Sequence, residues 1–136
     1  MGSLNSKPPQ SATTTKTPKT TKKVGDAGEE DALAYLQDKG LRLVTRNYRT
    51  PGRGGGEIDL VMRDTDGTLV FVEVRKRASG QHGGAAASVG FAKQRRIIFA
   101  ARHYLMALAT EPPCRFDVVA LEADGVQWLQ AAFDAS

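Results

Sequence analysis

Apolar positions at helical spacing, Ala32, Leu33 and Leu36, predict a first helix from about Asp26 to Lys39, and Gly40 stands where such a helix ends. Its acidic opening, Asp26, Glu29, Glu30 and Asp31, suits the positive end of a helix dipole. A strand at about Leu41 to Tyr48 follows, then a glycine-rich loop from Thr50 to Gly56. Glu57 to Arg63 and Leu69 to Arg77 read as strands separated by Asp64-Thr65-Asp66-Gly67, which predicts a hairpin. Beyond a second glycine- and alanine-rich loop, Gly80 to Ala87, one side of a long helix is marked by Val89, Ala92, Ile97, Ala100, Ala101, Tyr104, Leu105 and Leu108, and Pro112 and Pro113 stop it. Phe116, Val118 and Ala120 alternate in a fourth strand, and Val126 to Leu129 predict a short edge strand. The resulting αβββαβ order, with two strands joined through a helix, predicts an α/β domain whose mixed central sheet is flanked by helices.

The hairpin pattern also predicts a register. A three-residue loop of Thr65, Asp66 and Gly67, with glycine in the left-handed position, opposes Ile58 to Val74, Leu60 to Val72 and Met62 to Val70. One face becomes apolar, and the other places Asp59 opposite Glu73 and Glu57 opposite Arg75. A slip by one residue would destroy both patterns. Two carboxylates held a few ångströms apart on a semi-buried sheet repel and lose hydration, so something must compensate. A hard cation such as Mg²⁺ or Mn²⁺, a proton, or neighbouring Arg and Lys side chains in a surface ion-pair ladder would each serve.

Composition narrows the classes. Residues 1–23 hold five lysines, no acidic residue and prolines among Ser and Thr, which predicts a disordered tail ahead of a domain spanning 24–136. That domain carries 14 Lys+Arg against 15 Asp+Glu, so the pI near 9.4 belongs largely to the tail. Charge clustering is more telling than net charge. Ten of those basic residues fall in three segments: Arg42, Arg46, Arg49 and Arg53; Arg75, Lys76 and Arg77; Lys93, Arg95 and Arg96. They predict a phosphate-contacting rim, the competing description being a solvated surface. No apolar run approaches the ~18 residues of a membrane span, and a single cysteine, Cys114, suits a reducing, cytoplasmic setting. His82 and His103 lack ligand partners at metal-binding spacing, and Phe116, Trp128 and Phe133 read as packing residues.

Gly56-Glu57-Ile58-Asp59-Leu60-Val61, followed by Val70-Phe71-Val72-Glu73-Val74-Arg75-Lys76-Arg77, resembles the signature of the YraN family of small bacterial proteins. That family is similar to the PD-(D/E)XK, restriction-endonuclease-like nucleases, near the Holliday-junction resolvases. The resemblance extends from Gly25 to about Asp117 through Gly28 and Glu29, Arg46 to Arg49, Lys93 to Arg96 and Arg115 to Val118. It implies that Asp59 and Glu73 bind Mg²⁺ or Mn²⁺, that Glu29 reaches the site from the first helix, and that Gln94 approaches from the second. The departure is Arg75, which stands where the pattern has lysine, with lysine displaced to Lys76. Arginine stays protonated and cannot act as a base, but its fork of donors suits a developing phosphate charge. Lys76, by strand alternation, points to the opposite face.

The implied activity is a metal-dependent DNA endonuclease acting on branched or damaged DNA. Glu29, Asp59, Glu73 and Arg75 would be catalytic. Arg46, Arg49, Arg53, Lys76, Arg77, Lys93, Gln94 and Arg96 would contact nucleic acid, including branched or single-stranded regions. A resolvase-like enzyme would also act as a homodimer, because two strands must be cut in step. The alternatives keep the fold without the chemistry: a nucleic-acid-binding module of weak or no activity, or a protein-interaction adaptor.

Overall fold

The computed structural model describes residues 22–77 and 89–135. The tail as far as residue 21, the loop from 80 to 87 and His82 lie outside the described residues. The chain forms α1 (Lys22–Asp38), β1 (Arg42–Arg49), β2 (Glu57–Arg63), β3 (Leu69–Lys76), α2 (Phe91–Met106), β4 (Cys114–Glu122) and β5 (Gly125–Phe133). One five-stranded sheet has the order β1-β2-β3-β4-β5, antiparallel throughout except for the parallel β3–β4 pair that α2 connects. This is the expected mixed sheet, in a restriction-endonuclease-like topology.

Each helix covers one face. Ala32, Leu33 and Leu36 of α1 pack with Leu60, Met62, Val70, Val72 and Val119, while Ile97, Ala100 and Ala101 of α2 pack with Val61, Phe71, Phe116 and Val118. Both sides of β2 and β3 are therefore dry, which explains why these strands read as nearly continuous apolar runs. Helix α1 begins four residues before the expected Asp26, and its first turn holds no acidic residue. Its carboxylates consequently lie beyond the turn where the dipole acts, and the dipole does not explain them. At its other end Gly40, at φ 102°, closes the helix with Gly40 N–H to Gln37 O and Leu41 N–H to Leu36 O.

The hairpin adopts the register that the apolar pattern predicts: Leu60 opposes Val72, Met62 opposes Val70, and Gly67 turns at φ 92°. The paired rungs end at Leu60. Ile58 joins the α2-side cluster instead of sharing the face of Leu60 and Met62, and the carboxylate of Asp59 takes the Val74 N–H at 2.8 Å. A side chain thus replaces a ladder rung where the two strands separate. The preceding loop is drawn against α2 at Gly56, where any Cβ would run into the Arg96 carbonyl oxygen. Thr50 fastens the loop from within, its N–H bonding Gly56 O at 3.1 Å and its Oγ1 accepting from Gly56 N at 2.8 Å.

The edge strand β5 is longer than expected. Its pairing with β4 shifts register between Phe116 and Val118, and Ala131 sits at φ 53°. Asp117 holds that irregularity. Its carboxylate accepts from Ala131 N at 2.9 Å, Trp128 Nε1 at 3.0 Å and Arg115 Nε at 3.0 Å, and Arg115 reaches on to Asp64 at 3.0 Å. Trp128 stands edge-on to Tyr35, and Phe116 stacks on Phe133, so these aromatics pack as expected.

Candidate active site

Asp59 and Glu73 meet where β2 and β3 diverge. Hydrophobic neighbours on both strands bury them, and the Glu73 side chain is only 4% exposed. Burial pushes the Glu73 carboxyl up to about 8, and the adjacent Asp59 charge adds to the rise while Lys93 opposes it. Asp59 is also raised by burial, against the lowering effect of its Val74 N–H bond. The two carboxyls act on each other's titration, and Glu73 Oε1 has no hydrogen-bond donor among the described residues.

Two cations face the pair. Arg75 Nη1 stands 3.5 Å from Glu73 Oε2, and Lys93 Nζ, reaching down from α2, stands 3.8 Å from the same oxygen and 3.4 Å from Glu57 Oε2. Glu57 therefore pairs with Lys93, and with Arg49 at 3.5 Å, in place of the Arg75 that strand register suggested. Strand alternation does place Lys76 on the other side, where its Cδ lies near Gly28 of α1. A lysine ammonium, which β3 does not direct at the pair, is thus brought there by α2 in Lys93. The sequence named Lys93 only as a phosphate contact. What could have found it is its place in the first turn of a helix whose inner face must lie on β2 and β3.

The remaining residues sort differently from the sequence expectation. Gln94 donates to the Val89 carbonyl at 2.9 Å, so it secures the start of α2 while its neighbour Lys93 reaches the carboxylates. Glu29, 14% exposed, lies 3.8 Å from Arg46, which also binds Glu30 at 2.8 Å. Arg46 is thereby engaged with α1. Arg77 is an internal residue, 6% exposed and paired with Glu122 at 3.0 Å, which removes it from a phosphate-contacting rim. Arg49 and Arg96 flank a cleft of about 340 Å³ walled by the 52–56 glycine backbone, and Arg53 is exposed on that loop. His103 is a surface residue hydrogen-bonded to the Tyr48 hydroxyl at 2.6 Å.

No group of three or more His, Cys, Asp and Glu suited to a metal occurs among the described residues. The donor set at Asp59 and Glu73 is two carboxylates, one with an orphaned buried oxygen. That set fits Mg²⁺, which is commonly held by one or two carboxylates together with water and substrate phosphate. Among the described residues no helix is long and apolar enough to cross a membrane.

Residues 28–121 match the profile described as uncharacterised protein family UPF0102. A UPF0102 protein of Albidiferax ferrireducens is 72% identical over 116 residues, covering 85% of this chain and 91% of its own length. Those of Paracidovorax citrulli and Methylibium petroleiphilum are 69% and 67% identical, covering 85% and 86% of this chain and 86% and 98% of their own. The matched span contains the diverging strands, both carboxylates and Lys93, and the chain belongs to the UPF0102, YraN-like family.

Proposed function

We propose that the protein is a metal-dependent endonuclease that hydrolyses phosphodiester bonds in DNA, with branched or damaged DNA as its substrate. The observation that carries this reading is the buried Asp59–Glu73 pair with its unpartnered Glu73 Oε1. Such an arrangement costs folding free energy unless a proton or a bound cation compensates it, and strongly perturbed buried carboxylates are frequent at catalytic sites. Asp59 and Glu73 would hold Mg²⁺ or Mn²⁺. A bound cation of this kind lowers the pKa of water and polarises a phosphoryl oxygen.

The chain's own side chains supply the rest. Lys93, already within reach of both Glu57 and Glu73, can release a carboxylate and turn to a phosphate oxygen or to the attacking water. Arg75, 38% exposed at the mouth of the site, would stabilise the pentacoordinate charge with its guanidinium fork. Arg49, Arg53 and Arg96 around the glycine loop would seat the neighbouring phosphates. Glu29 is proposed to act from α1 on the coordination shell once Arg46 is drawn to DNA.

The test is cleavage of branched, nicked and linear DNA in Mg²⁺ or Mn²⁺ by the wild type and by an Asp59→Asn, Glu73→Gln double variant. The variant should lose roughly a hundredfold or more in rate. Equal cleavage by both proteins would overturn the reading. A second reading, DNA binding without cleavage, draws on the absence of a third acidic ligand among the described residues. It predicts metal-independent binding and no product with any of the three substrates.

A further inference from the structure

We propose that the outward face of α2 is a docking groove for single-stranded nucleic acid, which deepens the nuclease reading by naming the form of substrate it takes and rests on that reading. A cavity of about 710 Å³ runs between this face and the end of β5. Its helix wall presents Phe91, Arg95, Phe99 and Arg102, and Met106 continues the stripe at the same helical spacing. The face is unusual for a solvated helix. Phe91 is 73%, Phe99 53% and Met106 81% exposed, although the inner face of the same helix already buries Ile97, Ala100 and Ala101 in the core. Neither ring belongs to the core clusters on the two faces of the sheet.

Arginines alternate with the rings. The Arg95 guanidinium stands over the Phe91 ring at 5.6 Å, and Arg102 bonds the Ala135 carbonyl at 3.1 Å. Across the groove the lining offers one carboxylate, Asp134, against these two guanidiniums, so the charge favours an anion. Phe91 and Phe99 are eight residues apart, roughly 12 Å along the helix, far enough for each ring to take a separate base. Exposed aromatic faces with interleaved cations are what an unpaired strand requires: bases stack on the rings, and phosphates meet the arginines. A duplex has no free base faces to offer. The same helix carries Lys93 toward the Asp59–Glu73 pair, so α2 is a wall of both the groove and the site.

The experiment is fluorescence anisotropy with a labelled oligo-dT strand and a duplex of equal length, in EDTA so that binding is read apart from cleavage. The Phe91→Ala, Phe99→Ala double variant should lose single-strand affinity by roughly tenfold or more while duplex affinity changes little. Leucine at both positions should lose as much, because apolar bulk without a π face does not stack. Arg95→Gln and Arg102→Gln should each reduce the salt slope of log K by about 0.7. Unchanged single-strand affinity in the phenylalanine variants overturns the proposal. So does competition by a poly-glutamate peptide equal to that by oligo-dT, or a wild-type dimer that dissociates in the variants with nucleic-acid affinity intact. Failure of the nuclease reading looks different: ring-dependent binding with no cleavage in Mg²⁺ or Mn²⁺.

Discussion

Two buried acidic groups lie one rung apart on adjacent parallel strands and face opposite sides of the sheet. Asp117 of β4 is opposite Val72, and Glu73 of β3 is opposite Val118. Asp117 is fully buried and Glu73 nearly so, at 0% and 4% exposure. Their surroundings differ entirely. Asp117 accepts from a guanidinium, an indole and a backbone amide at 2.9–3.0 Å. Among the described residues Glu73 has an oxygen with no donor, a second carboxyl beside it, and cations at 3.5 and 3.8 Å, longer than a good hydrogen bond. Burial alone therefore does not mark a site on this sheet. The satisfied carboxylate is a staple for β5, and the unsatisfied pair is where the proposed metal would bind.

The contrast is broken most forcefully at the staple. Asp117→Ala leaves Arg115, Trp128 and the Ala131 amide without their common acceptor and should destabilise the protein by about 3–5 kcal/mol in urea unfolding. A loss below about 1 kcal/mol would mean that the network is ornamental. Glu73→Gln should act in the opposite direction. The folded state keeps the Glu73 proton up to about pH 8, whereas the unfolded chain releases it near 4.5. Wild-type stability therefore falls as pH rises through that interval, and the glutamine variant does not share the decline. Melting in EDTA should show the variant more stable than wild type by roughly 5 °C at pH 9 and equal to it below pH 4. A variant less stable at pH 9 contradicts the electrostatic picture.

Lys93→Met sharpens the same comparison. Removing the cation that opposes the rise in Glu73 should cost about 1 kcal/mol at pH 9, with a smaller effect at acidic pH, where Glu73 is neutral. The mildest change is Trp128→Phe, which removes one of several donors to Asp117 and should cost about 1 kcal/mol at any pH between 5 and 9. Flatness in one profile and slope in the other is the signature that separates staple from site.

Much of the architecture was written in local pattern. Leu60, Met62, Val70 and Val72 determine the hairpin register because together they make the face that α1 covers, which a one-residue slip would break up, and Gly67 allows the turn they need. The meeting of Asp59 with Glu73 follows from that register. Other features depend on distance in space. Lys93 is 36 residues from Glu57 and Arg77 is 45 from Glu122, and periodicity carries no information about which of these ends meet. The end of strand β5 beyond Leu129 escaped for another reason: the bulge that Asp117 holds interrupts the alternation by which a strand is recognised. Helix α1 began early because nothing apolar marks its first turn, Lys22 to Gly25, apart from Val24.

The substitution of a side chain for a rung at Asp59 gives the site a witness. Where neighbouring amides exchange with solvent according to the stability of the sheet, the Val74 amide is guarded by the Asp59 carboxylate and so depends on whatever that carboxylate is doing. Whenever Asp59 is recruited elsewhere, that single proton becomes free to leave, and one resonance in a spectrum reports on the state of the Asp59 carboxylate.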